Sequence, residues 1–133
     1  MTSDALIKQI LALKSIAVVG LSPNQTRPSF GVARYLLAQD YHVIPVNPGH
    51  DEILGLKSYP TLRDIPETVD LVDVFRRPEH VLPIAKEAVE AGAKAFWLQL
   101  GIVNDEAIQL VEKAGLLAVQ NRCLKIEHAR LML

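Results

Sequence analysis

The chain predicts an α/β fold: a doubly wound parallel sheet of five strands in the order 3-2-1-4-5, with helices on both faces. Three observations predict it. The apolar runs are short and continuous rather than alternating, as strands buried on both faces must be. Segments with helical spacing separate them, which is the pattern of parallel strands joined by helical crossovers. The first run, Ile16-Ala17-Val18-Val19, ends on Gly20, a strand-to-helix turn of the kind that opens nucleotide-binding sheets.

The elements follow with little slack. Ser3 or Asp4 can cap a first helix whose Leu6, Ile7, Ile10 and Leu13 fall at helical spacing. The first strand is 16–20. Ser29 is expected to cap a helix to about Gln39, with Phe30, Ala33, Leu36 and Leu37 on one face. The second strand is His42–Val46, closed by Asn47-Pro48. Gly49, Gly55, Pro60 and Pro66 leave room for only short pieces over 49–69, such as one turn after Thr61. The third strand is Leu71–Phe75, and Pro78 opens a helix through Ala91 that Gly92 ends. The fourth strand is Ala95–Leu98. Asn104 caps a helix to Ala114 closed by Gly115, and the fifth strand is Leu117–Val119. A last helix runs from about Cys123 to Arg130.

Composition narrows the function classes. A chain of 133 residues, half of them hydrophobic, is read as one domain, 1–133, with a substantial core. Net charge is −1, which supplies no global field for nucleic acid or an anionic membrane. An anion site must be built locally. The single cysteine, Cys123, excludes an intramolecular disulfide framework and suits a reducing cytoplasm. No apolar run approaches the roughly 20 residues of a membrane span, and Met1-Thr2-Ser3-Asp4 lacks the basic start of a signal peptide. A cytoplasmic protein is expected.

In the predicted order the winding reverses between the first and fourth strands, so the crevice is expected beyond their carboxyl ends. The loops delivered there are 20–29, 47–50, 75–78 and 99–104. Loop 20–29 carries Gly20, Ser22, Asn24, Gln25, Thr26, Arg27 and Ser29, and no acid follows until Asp40. A helix start offers unpaired backbone N–H groups, and a guanidinium beside it suits phosphate oxygens. Arg76 and Arg77 end the third strand. Loop arginines are also met as plain solvated charges. Their convergence on one sheet edge favours a phosphate site.

Position 47 bears on which phosphate. Sheets that bind NAD usually end the second strand on Asp or Glu, which accepts from the ribose hydroxyls. Here the residue is Asn47, a neutral amide that does not repel a phosphorylated ribose such as those of coenzyme A and NADP. Asn-Pro is equally a turn signal that needs no ligand.

The blocks VVGLSPNQTRPS, VIPVNP, DLVDVFRRPE, WLQLGI and NRCLKIEHARL together resemble the CoA-binding domain family. The resemblance covers nearly the whole chain. It is closest to small stand-alone bacterial members, and the chain is also similar to the amino-terminal domain of the succinyl-CoA ligase alpha subunit. The resemblance implies a Rossmann-like domain that binds coenzyme A or an acyl-CoA. Gly20, Ser22, Pro23, Asn24 and Gln25 would meet the pyrophosphate, with Arg27 and Ser29 beside it. Asn47 and Pro48 would lie near the adenosine, and Phe75 and Arg76 beside the adenine and phosphates. Gln99 to Gly101 would lie near the pantetheine arm. The ligase's phosphohistidine belongs to a second domain that is not read here, so ligase activity is not carried over.

The remaining reactive groups read blandly. Cys123 has no histidine on its helical face, because His128 is five residues on, and Glu127 would oppose a thiolate. His42, His50 and His80 are scattered without ligand spacing, so no metal site is expected. Phe96 and Trp97 belong to the core of the fourth strand. No nucleophile elbow and no carboxylate pair in a crevice loop appear. The expected function is a stand-alone coenzyme A binding or regulatory module with no catalytic residue and no identified protein partner. The competing readings are a small NADP-dependent oxidoreductase, which would need a Tyr-x-x-x-Lys donor absent here, and a scaffold subunit sensing acyl-CoA.

Overall fold

Five parallel strands form one sheet in the computed structural model, which describes residues 2–133. They are β1 (Ser15–Val19), β2 (His42–Val46), and, after a short antiparallel hairpin of β3 (Glu52–Ile53) and β4 (Leu56–Lys57), β5 (Leu71–Val74), β6 (Ala95–Leu98) and β7 (Leu117–Val119). The order across the sheet is β2-β1-β5-β6-β7. In the count of the five sequence-predicted strands this is 2-1-3-4-5, so the fold class holds and the expected order 3-2-1-4-5 is corrected. The third predicted strand pairs with the free side of the first, Ile16 opposite Leu71 and Val19 opposite Val74.

Pro45 explains the correction. It lies inside β2, its carbonyl accepts from Tyr59 N–H at 3.1 Å, and its ring leaves no N–H to donate on that same outer side. A strand with a missing donor belongs at an edge. The chain after the hairpin closes that edge locally, through a bridge of Tyr59 to Val46 and a bond from Asn47 N–H to the Tyr59 carbonyl at 2.9 Å. It then crosses to the far side of β1.

Helices cover both faces. α1 (Asp4–Leu11), α2 (Pro28–Ala38) and α5 (Leu124–Met132) pack Ile7, Ile10, Val32, Leu36 and Leu124 on the face of Ile16, Val18, Leu71 and Trp97. α3 (Val81–Glu90) and α4 (Asp105–Lys113) pack Val81, Ala85, Ala107 and Val111 on the face of Val19, Val72, Val74 and Phe96. Strand alternation puts Asp73 on the first of these faces, between Val18 and Trp97. Its side chain is fully buried, and neither carboxyl oxygen has a hydrogen-bond partner among the described residues. Burial pushes that carboxyl well above its ordinary range.

The caps show where local chemistry was legible. Ser3 Oγ accepts from Leu6 N–H at 3.1 Å, and Asn104 Oδ1 accepts from Ala107 N–H at 3.0 Å. Ser29 is not a cap. Pro28 takes the first helical position, where its missing N–H costs nothing, and Arg27 becomes the cap residue. The helix expected from Pro78 begins as a 3-10 turn, Pro78–His80, and becomes α-helical at Val81. No helix among the described residues is long and apolar enough to cross a membrane.

Candidate functional site

With β1 flanked by β2 on one side and β5 on the other, the winding reverses between β1 and β5. The loops after these two strands therefore face each other directly. Gly20 has φ +87°, and a Cβ there would sit 2.2 Å from the Phe75 carbonyl oxygen. Only glycine allows both the left-handed turn and this approach. The same imaginary Cβ would lie 3.3 Å from Arg76 Nε, so the Arg76 side chain crosses the turn itself.

A chain of hydrogen bonds holds loop 20–29. Gly20 N–H donates to the Val46 carbonyl at 2.9 Å, and Ser22 N–H donates to Ser29 Oγ at 3.0 Å. Ser29, buried in the first turn of α2, thus ties the turn to the helix rather than capping it. Asn24 N–H donates to Ser22 Oγ, and Asn24 Oδ1 accepts from both the N–H and hydroxyl of Thr26. Asn47 joins the second loop to the first: its Nδ2 donates to the Leu21 carbonyl at 2.9 Å and its Oδ1 accepts from Gly49 N–H at 2.8 Å. Both ends of that amide are engaged on backbone.

Between these loops lies a crevice of about 670 Å³. Gly20, Ser22, Arg27 and Ser29 form one wall, and Phe75, Arg76 and Arg77 the other. Asn47, Pro28, His80 and Ile102 close it. Among the described residues no carboxylate lines it. Arg27, Arg76 and Arg77 form no ion pair among the described residues. Three arginines lining one acid-free cleft, next to a helix start, make a local field for an anion in a chain whose net charge is −1.

Seven of the sequence-predicted residues meet there: Gly20, Ser22, Arg27, Ser29, Asn47, Phe75 and Arg76. Pro23 and Asn24 sit in the exposed outer bend of the loop. Gln25 faces away, into a separate groove of about 400 Å³ with Arg34, Tyr35 and Lys125. Pro48 follows Asn47 without reaching the wall. Gln99 is 4% exposed and its Oε1 accepts from Leu124 N–H at 3.2 Å, while Gly101 N–H donates to Asn121 Oδ1 at 2.8 Å. Those two positions pin loop 99–104 to the start of α5, and Ile102 is the residue of that loop that lines the crevice. Pro28, His80 and Ile102 line the crevice outside the sequence-predicted set, as does Arg77, which the sequence offers only as a loop arginine. Of the four histidines only His80 lines the crevice; the turn that Pro78 starts brings it back over the cleft.

Cys123 lies elsewhere, at the cap position of α5, beside a pocket of about 460 Å³ at the carboxyl ends of β6 and β7. Among the described residues no three His, Cys, Asp or Glu side chains are grouped to hold a metal ion.

A family model described as a CoA binding domain matches residues 14–129. The Bacillus subtilis protein YneT is 43% identical over 128 residues, covering 96% of this chain and 95% of that one. A solved structure of a protein from Pyrococcus horikoshii OT3 is 41% identical with TM-score 0.96, covering 99% of this chain and 94% of the other. An ADP-forming acetate–CoA ligase of Archaeoglobus fulgidus is 30% identical over 122 residues, which are 84% of this chain and only 18% of the ligase.

Proposed function

The chain belongs to the CoA binding domain family, and we propose that it binds coenzyme A or an acyl-CoA in the crevice between β1 and β5, as a binding or regulatory module. The observation that carries this reading is the acid-free cleft with three unpaired arginines at the turn of Gly20. The pyrophosphate would lie across Gly20 and Ser22, against the first turn of α2, with Arg27 and Arg76 on its oxygens. Phe75 and Arg77 would flank the adenosine, and the neutral Asn47 would leave room for a phosphorylated ribose. The reducing cytoplasm, where CoA is used, suits a chain with one free cysteine. The match spans 18% of the acetate–CoA ligase, so this reading assigns binding alone and no ligase chemistry.

Titration calorimetry with CoA, dephospho-CoA, NADP and NAD tests the reading. CoA is expected to bind at least about tenfold more tightly than NADP or NAD, a gap of about 1.4 kcal/mol. NADP binding as tightly as CoA would replace it with the oxidoreductase reading.

A further inference from the structure

The pocket beside Cys123 and the crevice share one edge of the sheet and one loop. The crevice lies over β1 and β5, and the pocket over β6 and β7. β6, whose following loop carries both Leu100 and Ile102, is the neighbour of β5, about 5 Å away at the usual distance between strands. Loop 99–104 bridges them, with Ile102 in the crevice wall and Leu100 in the pocket wall. The two sites differ in chemistry. In the crevice the arginines are unpaired. In the pocket Arg122 Nη1 is already bonded to Glu127 Oε1 at 3.4 Å, so the charges of its rim are neutralised internally.

Beside the polar Thr2, Gln120 and Asn121, the pocket also displays two large apolar side chains. Leu100 is 64% exposed and Ile126 is 56% exposed, and both line it. Leu100 is not on a loose segment. The residues on either side are fixed to the α5 end, Gln99 through Leu124 N–H and Gly101 through Asn121 Oδ1. Asn104 N–H closes the loop on Gln120 Oε1 at 2.9 Å. A large apolar side chain held out by backbone bonds forgoes burial in the free protein, and it recovers that only when a ligand covers it.

Resting on the coenzyme A reading, we propose that this pocket is the acyl subsite: the ligand's polyanionic head sits in the crevice, its arm follows the carboxyl edge over β6, and a thioester-linked aliphatic acyl chain lies on Leu100 and Ile126. The ligand class is then an aliphatic acyl-CoA in preference to free CoA. Binding involves no covalent step, and Cys123 contributes only a part of the wall.

Calorimetry with CoA and with acetyl-, butyryl- and hexanoyl-CoA tests this on the wild type and on Leu100→Ser and Ile126→Ser. Both positions are solvent-exposed, so both variants should keep the wild-type melting temperature, and Ile126→Ser should also keep the wild-type affinity for free CoA. Hexanoyl-CoA is expected to bind wild type at least about tenfold more tightly than acetyl-CoA, well below the limit for full burial of the added methylenes. Each serine variant should flatten that series. Equal affinity along the series on wild type overturns the acyl subsite while leaving CoA binding intact. A rise with chain length that survives in both variants places the acyl chain elsewhere and also overturns it. If wild type binds none of the four, the underlying coenzyme A reading falls as well.

Discussion

Two groups of arginines divide the molecule. At the corner where α1 meets α5, Arg130 donates to Asp4 Oδ1 at 2.8 Å and to Glu127 Oε2 at 2.6 Å, and Arg122 takes the other oxygen of Glu127. Each of these four charged groups has a partner. The result is a clasp between the first helix and the last, built on a Glu127 that is only 7% exposed. In the crevice, Arg27, Arg76 and Arg77 have none among the described residues. Paired guanidinium groups are accounted for by the fold; converging unpaired ones fit a partner that the fold does not contain. The hydrogen bond from Arg130 also holds the Asp4 carboxyl below its ordinary range. The clasp therefore strengthens folding above that range and loses the contribution as acid protonates Asp4.

The sharpest way to break the comparison is to spoil the crevice without touching a charge. Gly20→Ala places a Cβ 2.2 Å from the Phe75 carbonyl in a left-handed turn. It should cost about 3 kcal/mol of stability from strain and backbone displacement, together with CoA binding. Urea unfolding and calorimetry read the two losses. A variant of wild-type stability would mean that the β1 and β5 loops are not locked as described.

Exchanging one arginine from each group separates their roles. Arg27→Ala should weaken CoA binding by about 1.5–3 kcal/mol, the worth of a charge-assisted hydrogen bond, with the melting temperature unchanged. Arg130→Ala should do the reverse, lowering the melting temperature and leaving CoA affinity alone. Equal behaviour of the two variants in both measurements removes the distinction.

Much of this was legible in the sequence, and the gaps have physical causes. His42–Val46, Ala95–Leu98 and Leu117–Val119 are the predicted strands, because short apolar runs bounded by turn residues have few alternatives. Part of the strand order is legible in Pro45, since a proline inside a strand marks an edge and so argues against a further strand outside the second one. The Ser29 cap failed because Pro28 competes for the helix start, which local preference alone does not arbitrate. Gln99 and Gly101 are expected near the pantetheine arm, and the structure adds that their hydrogen bonds go to Leu124 and Asn121. Such partners are more than twenty positions away or on another loop, and spacing cannot reveal them. His80 looked isolated for the same reason.

A charge without a partner can also be silent, and Asp73 tests that from the other side. Its buried carboxyl is raised well above the ordinary value of 3.8, so the folded state holds a proton that the unfolded state releases. Stability is then fully present below that value and declines as pH rises toward the folded-state range, at up to about 1.4 kcal/mol per pH unit. Asp73→Asn keeps the shape, stays neutral and should abolish the decline. Urea midpoints that run parallel in the two proteins as pH rises from about 4 would show that Asp73 is not held protonated.

The smallest effect is expected at Cys123. Cys123→Ser should bind CoA within about twofold of wild type, or about 0.4 kcal/mol. A stable Cys123–CoA disulfide in mass spectra after mild oxidation would instead give the thiol a role in exchange.

The central claim is that the unpaired arginines mark where the ligand's phosphates sit, and amide chemical shifts under CoA titration test it most directly. The account predicts that the largest perturbations fall on Gly20, Ser22, Arg27, Ser29 and Phe75 to Arg77, with the Asp4, Glu127 and Arg130 corner unmoved. Perturbations centred instead on the groove of Gln25, Arg34 and Lys125, with Gly20 and Arg76 unmoved, would contradict it.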